Sequence, residues 1–121
     1  MVAVGGSLVA VGSVVALAPW LPAGEPVSQL AGRTVVIAHG ERDRVTDPAG
    51  SLDYALRGHE VAERLCRFQI ARSGHAMLER APLWHRLARD AVLGLLGLRP
   101  LPAVVENGFA LSAAQAARID L

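Results

Sequence analysis

Apolar β-branched runs alternate with helical segments along this chain, and this alternation restricts the fold more than any other feature. Three runs are typical of strands: SVVALAP (13–19), RTVVIAHG (33–40) and RLCRFQIARSG (64–74). The first two lack a regular alternation of apolar and polar residues, as expected of parallel strands covered on both faces. Segments with apolar residues at helical spacing, 48–65 and 81–97, follow the second and third runs. The order predicts an α/β fold with a three-stranded parallel sheet and flanking helices.

Local signals mark the ends of both predicted helices. Asp47 directly precedes Pro48, a pair typical of a helix N-cap followed by a proline in the first turn. Gly58 weakens the first helix without forbidding it. In the second helix, Gly97 marks the end. The apolar stripes of the two helices are Leu52, Ala55, Leu56, His59, Ala62 and Cys66, and Leu83, Leu87, Ala91 and Leu95.

The length of the chain limits its domain organisation. It has 121 residues, enough for one small domain with a hydrophobic core. We predict that this domain covers residues 1–97, with the part played by residues 1–12 left open. Residues 98–121 are predicted to form a C-terminal tail that contains a short helix at 112–118.

Residues 1–24 carry no charged side chain, and two interpretations of them stay open. An uncharged apolar segment of this length is typical of a membrane span or a signal peptide. The glycines and prolines that interrupt it, and the absence of Lys or Arg before it, favour a buried strand at 13–19. On the second interpretation, we predict a cytoplasmic protein that does not bind membranes.

The charge distribution excludes some classes of function. All twelve basic residues are arginines, and eleven acidic residues balance them to a net charge of +1. They are spread along the chain, whereas a nucleic-acid-binding protein carries a clustered basic face. The single cysteine, Cys66, excludes an intrachain disulfide and offers no metal cluster. We therefore predict no nucleic-acid partner, no metal and no cofactor.

An acid and a histidine follow two successive predicted strands. The second predicted strand ends at Gly40, and Asp43 lies three residues beyond it. His75 directly follows the third predicted strand. In open parallel sheets, functional groups collect beyond the carboxyl ends of the strands. An acid that orients an imidazole, which in turn takes a proton from a nucleophile, is the arrangement of a catalytic triad. We therefore expect Asp43 and His75 to lie within hydrogen-bond distance, on parallel neighbouring strands.

Three segments resemble the α/β-hydrolase fold, particularly its esterase and dienelactone-hydrolase-like branches. VVIAHGERDRVTDP resembles the strand and acid turn of that family, ARSGHAMLER its catalytic-histidine loop, and VGSVVALAPWLPAGEP the strand before both. The resemblance covers residues 12–97 and corresponds to the last three strands of the family's larger sheet. It implies a serine hydrolase acting on ester or similar acyl bonds of a small-molecule substrate. Asp43 would be the triad acid and His75 the general base.

The nucleophile departs from the family pattern. The expected G-x-S-x-G elbow lies on a strand-to-helix turn, whereas this chain offers only Ser7, in GGSLV. Five residues separate Ser7 from the strand that begins at Ser13, and a crossover helix requires about ten or more. The chain therefore resembles the C-terminal part of a hydrolase without its elbow. We expect it to be inactive alone and to self-associate through an exposed first strand.

Structural interpretations compete with these functional ones. Asp43 could serve only as a turn residue, and His75 could be a solvent-facing loop histidine. Asp47 competes as the acid, although its position suits an N-cap better. Packing or surface roles are predicted for His39, His59, His85, Trp20 and Trp84, and a buried inert thiol for Cys66. The alternative to a hydrolase is a non-enzymatic, membrane-anchored or structural fragment with an apolar N-terminal segment.

Overall fold

The computed structural model describes residues 12–121 together with the backbone of residues 2–4 and 7–10. Its strands are β1 (Val2–Val4), β2 (Ser7–Ala10), β3 (Ser13–Leu17), β4 (Thr34–Gly40), β5 (Arg64–Ile70) and β6 (Ile119–Asp120). Its helices are α1 (Pro48–Gly58), α2 (Ala81–Leu95), α3 (Ala103–Phe109) and α4 (Ala113–Ala116), and a short 3-10 helix spans Ser28–Leu30.

The described strands form one sheet in the order β1–β2–β3–β4–β5–β6. Strands β3 to β6 are parallel, and β2 pairs antiparallel with both β1 and β3. The α/β class, with a parallel sheet and flanking helices, is thus confirmed. The predicted number of three parallel strands is wrong, because β6 is a fourth. This two-residue strand pairs with Phe68 and Gln69 of β5 and is too short to show a strand pattern in the sequence.

The segment 98–121, predicted as a tail, contributes α3 and α4 as well as β6. The short helix predicted at 112–118 corresponds to α4. Val105 of α3 is fully buried in the same core as Cys66 and Phe68 of β5. Backbone hydrogen bonds extend the β6 pairing, since Leu121 N donates to the Gln69 carbonyl at 3.0 Å. This segment therefore adds the edge strand of the sheet beyond β5.

The N-terminal segment forms strands where the structure describes it. Residues 13–17 form β3, as the strand interpretation predicts. The expectation that β3 is an exposed edge is wrong, because β2 pairs with it along its length, from Ser7 opposite Ala16 to Ala10 opposite Ser13. Among the described residues, no helix has the length and apolar character needed to cross a membrane.

Two layers of apolar side chains cover the sheet, one on each face. All seven residues of β4 are buried, because side chains of a strand alternate between the two faces. Val36 and Ala38 face α2 and α3, whereas Val35 and Ile37 face α1. This arrangement explains why the β4 sequence is apolar without alternation.

The first helix begins at the predicted cap and ends earlier than predicted. Asp47 Oδ1 accepts a hydrogen bond from Ala49 N at 2.9 Å, which confirms the N-cap. The prediction of a helix extending to residue 65 is wrong, because α1 ends at Gly58. A Cβ atom at Gly58 would lie 2.8 Å from Leu30 Cδ1 and 3.3 Å from Leu65 Cδ1. The chain turns where the helix meets these two packed leucines.

The second helix, α2, covers 81–95 of the predicted 81–97. Gly97 follows it with φ of 76°, a backbone conformation that glycine adopts without strain. Gly97 N donates to the Gly94 carbonyl at 3.0 Å, and Leu98 N donates to the Leu93 carbonyl at 2.9 Å. These two bonds form a Schellman motif, so the glycine ends the helix as predicted.

Candidate acid–histidine site

The loops that follow β4 and β5 are held against each other at the carboxyl edge of the sheet. Glu41 N donates to the Ile70 carbonyl at 2.9 Å, and Arg42 N donates to the Ser73 carbonyl at 3.0 Å. Gly40 lies against Ser73 so closely that a Cβ atom would collide with the Ser73 carbonyl. The absence of a side chain at residue 40 therefore lets the two loops meet.

Four hydrogen bonds and one further histidine contact surround the Asp43 carboxylate, which is fully buried. Oδ1 accepts from the backbone N–H groups of Val45 at 2.9 Å and Thr46 at 2.8 Å. Oδ2 accepts from Thr46 Oγ1 at 2.8 Å and from His75 Nδ1 at 2.9 Å. His39 Nε2 lies 3.3 Å from the same oxygen. The turn that follows β4 thus presents Oδ2 to the loop that follows β5.

Hydrogen bonding keeps the buried Asp43 ionised. Burial alone raises the pKa of Asp43, but hydrogen bonds from Thr46 N, His75, the Thr46 hydroxyl and Val45 N outweigh burial and lower this pKa to about 2. A carboxylate that accepts several such bonds holds its charge far below neutral pH. Asp43 is therefore an anion near neutral pH, as the acid member of a triad must be.

His75 joins Asp43 through one ring nitrogen and has 42% of its side chain exposed. Because Asp43 can only accept a hydrogen bond when ionised, Nδ1 carries the proton that is shared between them. In the neutral ring, Nε2 then carries the lone pair. Among the described residues, Nε2 of His75 makes no hydrogen bond. The expected distance and the expected parallel pairing of β4 with β5 are both present.

The loop that carries His75 is anchored on both sides. The indole N–H of Trp84, a fully buried residue of α2, donates to Ser73 Oγ at 2.7 Å. Gly74 N donates to Glu79 Oε2 at 3.4 Å. Met77 has φ of 61°, in the left-handed region that side chains rarely adopt. The packing role predicted for Trp84 is confirmed, and the indole also fixes the histidine loop.

His39 is buried and hydrogen-bonded at both ring nitrogens. Nδ1 lies 2.8 Å from Ser51 Oγ, and Nε2 lies 2.9 Å from the Thr46 carbonyl. Burial lowers the pKa of His39, against the opposing effects of the Thr46 carbonyl and Asp43. His39 therefore belongs to the polar surroundings of Asp43, which goes beyond the packing role predicted for it.

Sequence reasoning missed Thr46, Ser51 and Arg67. The Asp-x-x-Thr spacing from Asp43 to Thr46 is a signal for a side-chain-to-backbone turn. Arg67 lies between Cys66 and Phe68 in a buried strand. Because arginine is rarely buried unless its donors are paired, this position is a signal for a buried polar network. No local pattern links Ser51 to either of them, because the three residues meet only in the folded chain.

The structure places the remaining candidates away from the Asp43–His75 pair (the dyad) or in other roles. Ser7 is the first residue of β2, and only residues 11 and 12 separate β2 from β3. A strand-to-strand connection of this length holds no helix, so Ser7 is not on a nucleophile elbow. Asp47 caps α1, and Cys66 is a buried free thiol whose pKa burial raises to about 12.

The other aromatic and histidine predictions have mixed outcomes. Trp20, predicted as a packing residue, is 72% exposed. That prediction is wrong, since the chain after β3 carries this side chain out to solvent beside Val45. His85 is exposed and His59 is partly buried, as predicted for surface or boundary residues.

Groups of acidic, histidine or cysteine side chains suited to hold a metal ion are absent from the described part of the chain. Comparisons with protein-family models, with curated proteins and with solved structures gave no match for this chain. The geometry of Asp43, His75 and the groups around them is therefore the basis for assigning a function to this chain.

Proposed function

We propose that this chain carries the acid and the base of a serine hydrolase that acts on ester or similar acyl bonds, in an α/β-hydrolase fold. The observation that supports the proposal is the 2.9 Å contact between His75 Nδ1 and the buried Asp43 Oδ2. The two residues follow adjacent parallel strands, and 42% of the His75 side chain is exposed whereas Asp43 is buried. This is the relation of acid to base in a triad.

In this mechanism, His75 Nε2 takes the proton of a serine hydroxyl as its oxygen attacks the acyl carbon. Asp43 holds the ring through Nδ1–H and stabilises the imidazolium that forms. The same proton then passes from Nε2 to the departing alcohol or amine, and a water molecule repeats the sequence to release the acid. General base catalysis of this kind contributes about 10²- to 10⁴-fold to the rate.

We infer that this chain does not carry the nucleophile elbow of the hydrolase. Ser7 is the only candidate that the sequence offered, and its strand does not lead into a helix. We propose that the chain is the C-terminal part of a hydrolase whose elbow and oxyanion hole lie in other segments. The substrate is a small acyl compound, no cofactor or nucleic acid takes part, and the location is cytoplasmic.

The DNA upstream of the first codon, read in all frames, tests this proposal. We expect a G-x-S-x-G motif there, and we expect the longer product to hydrolyse p-nitrophenyl esters. In that product, His75→Ala and Asp43→Asn should each lower kcat/KM at least about 100-fold, whereas Asp47→Asn should not. Absence of the motif, or activity that survives His75→Ala, would overturn the proposal and favour a non-enzymatic structural fragment.

A further inference from the structure

A continuous line of buried polar groups runs from Arg67 of β5 to Asp43. Arg67 Nε lies 2.8 Å from Ser51 Oγ, and Ser51 Oγ lies 2.8 Å from His39 Nδ1. The side chains of Arg67, Ser51 and His39 are all fully buried. His39 Nε2 then reaches the Thr46 carbonyl at 2.9 Å and Asp43 Oδ2 at 3.3 Å. The line joins β5, α1 and β4 behind the dyad.

The guanidinium at one end of this line and the Thr46 carbonyl at the other determine which group donates and which accepts in each hydrogen bond. A guanidinium can only donate, so Ser51 Oγ accepts from Arg67. A carbonyl can only accept, so the proton of His39 lies on Nε2, where it points at Thr46. Nδ1 of the neutral ring is then an acceptor for the Ser51 hydroxyl. The Pro48 carbonyl accepts from Arg67 Nη2 at 3.0 Å and also lies 3.2 Å from Ser51 Oγ. Because His39 Nδ1 is nearer to Ser51 Oγ, at 2.8 Å, and needs a donor, the single proton of the Ser51 hydroxyl is directed to His39.

Arg67 is itself held rigidly at the start of this line. Nη1 donates to the Ala117 carbonyl at 3.0 Å and to Gln69 Oε1 at 3.3 Å. Among the described residues, no carboxylate lies within ion-pair distance of this guanidinium. Burying such a charge carries a desolvation penalty, which an apolar residue would avoid. What the guanidinium provides, and a leucine would not, is a donor aimed at Ser51.

Thr46 connects this line to the dyad. Its carbonyl accepts from His39, while its N–H and its hydroxyl both donate to Asp43. A His39 ring with the proton on Nδ1 would turn a lone pair toward the Thr46 carbonyl and toward Asp43 Oδ2. That ring would repel the turn rather than hold it. The tautomer of His39 therefore bears directly on where the Asp43 carboxylate sits.

We propose that His39, supported by Ser51 and Arg67, is a positioning residue that holds the 43–46 turn so that Asp43 faces His75 Nδ1, an inference that rests on the proposed function. Its role is carried by one proton on Nε2, donated to Thr46 and shared with Asp43. Removal of that donor frees the turn, and the Asp43–His75 hydrogen bond loses its fixed geometry.

The tautomers of His39 and His75 provide the test, because a side chain that only fills space does not set the tautomer of a neighbouring ring. We would label histidine with ¹⁵N and record magic-angle-spinning NMR spectra. This method suits a chain that is expected to self-associate, because it does not require a small soluble particle. A background with His59→Gln and His85→Gln leaves only the two rings of interest. The full chain in this background should show Nε2–H for His39 and Nδ1–H for His75.

Three variants in this background decide the proposal. His39→Leu removes the donor and should lower the Nδ1–H fraction of His75 at least twofold. His39→Gln places an amide N–H near the position of Nε2 and should restore that fraction. Ser51→Ala removes the donor to His39 Nδ1 and should also lower the fraction, by less than His39→Leu does. A far-UV circular dichroism spectrum identifies any variant that has failed to fold, and Ser51→Ala then decides.

Failure of the inference is distinguishable from failure of the proposed function. If the unmodified site shows His75 without Nδ1–H, or if Asp43→Asn leaves that tautomer unchanged, the acid–base proposal fails. If Asp43→Asn abolishes the tautomer but folded His39→Leu and Ser51→Ala both keep it, the dyad stands and the positioning role of His39 is refuted.

Discussion

Replacement of Asp43 by asparagine should destabilise the protein in a pH-dependent way. The pKa of Asp43 is lowered to about 2 from 3.8, and each pKa unit corresponds to about 1.4 kcal/mol, which gives about 2 kcal/mol of stability at neutral pH. In Asp43→Asn, an amide N–H₂ at the position of Oδ2 would face the donors of Thr46 and His75. Unpaired buried donors raise the expected loss to about 2–4 kcal/mol.

The pH range of this effect follows from the direction of the pKa shift. Because the folded chain binds the proton of Asp43 less readily than the unfolded chain, the stabilisation is complete above about pH 5. It declines as the pH falls through 3.8 and is lost near the folded value of about 2. The difference in unfolding free energy between wild type and Asp43→Asn should therefore narrow by about 2 kcal/mol between pH 6 and pH 2.

Urea unfolding at low micromolar concentration, followed by far-UV circular dichroism at several pH values, measures this difference. Asp53→Asn is a matched control, because Asp53 pairs with Arg57 at 2.9 Å with 56% of its side chain exposed. Exposed pairs of this kind contribute about 0–1 kcal/mol. A difference between wild type and Asp43→Asn that stays constant from pH 6 to pH 2, or an equally stable variant, would refute the hydrogen-bonding argument.

Three further predictions concern the loops, the activity and the association of the chain. Gly40→Ala should cost about 1–3 kcal/mol, because its methyl group meets the Ser73 backbone; Gly74→Ala, whose methyl group has ordinary contacts at 3.9 Å, should unfold at nearly the wild-type urea concentration. The isolated chain should hydrolyse p-nitrophenyl acetate no faster than background, and turnover that disappears in Ser7→Ala would contradict this prediction. The isolated chain should self-associate, because an open apolar groove between β3, β4 and the 3-10 helix remains on the surface; sedimentation as a monodisperse 12.7 kDa monomer would count against it.

Local patterns were sufficient for the parts of the fold that depend on neighbouring residues. Asp47 caps α1 and Gly97 ends α2 as the sequence indicates, because caps are hydrogen-bonded within a few residues of themselves. The apolar run of β4 identified a strand covered on both faces. The positions of Asp43 and His75 after successive parallel strands were also enough to predict their contact, since parallel strands end at one edge of the sheet.

Tertiary contacts determined the features of the fold and of the site that the sequence did not predict. Two residues become β6 only because the edge of β5 offers them hydrogen-bond partners, and β3 is covered because β2 folds back beside it. The line from Arg67 through Ser51 to His39 joins residues that are 16 and 12 positions apart in the chain, so no periodicity could reveal it. Hydrogen-bond direction in a buried network depends on which groups the fold brings together, whereas strand and helix patterns depend on residues that are already close in sequence.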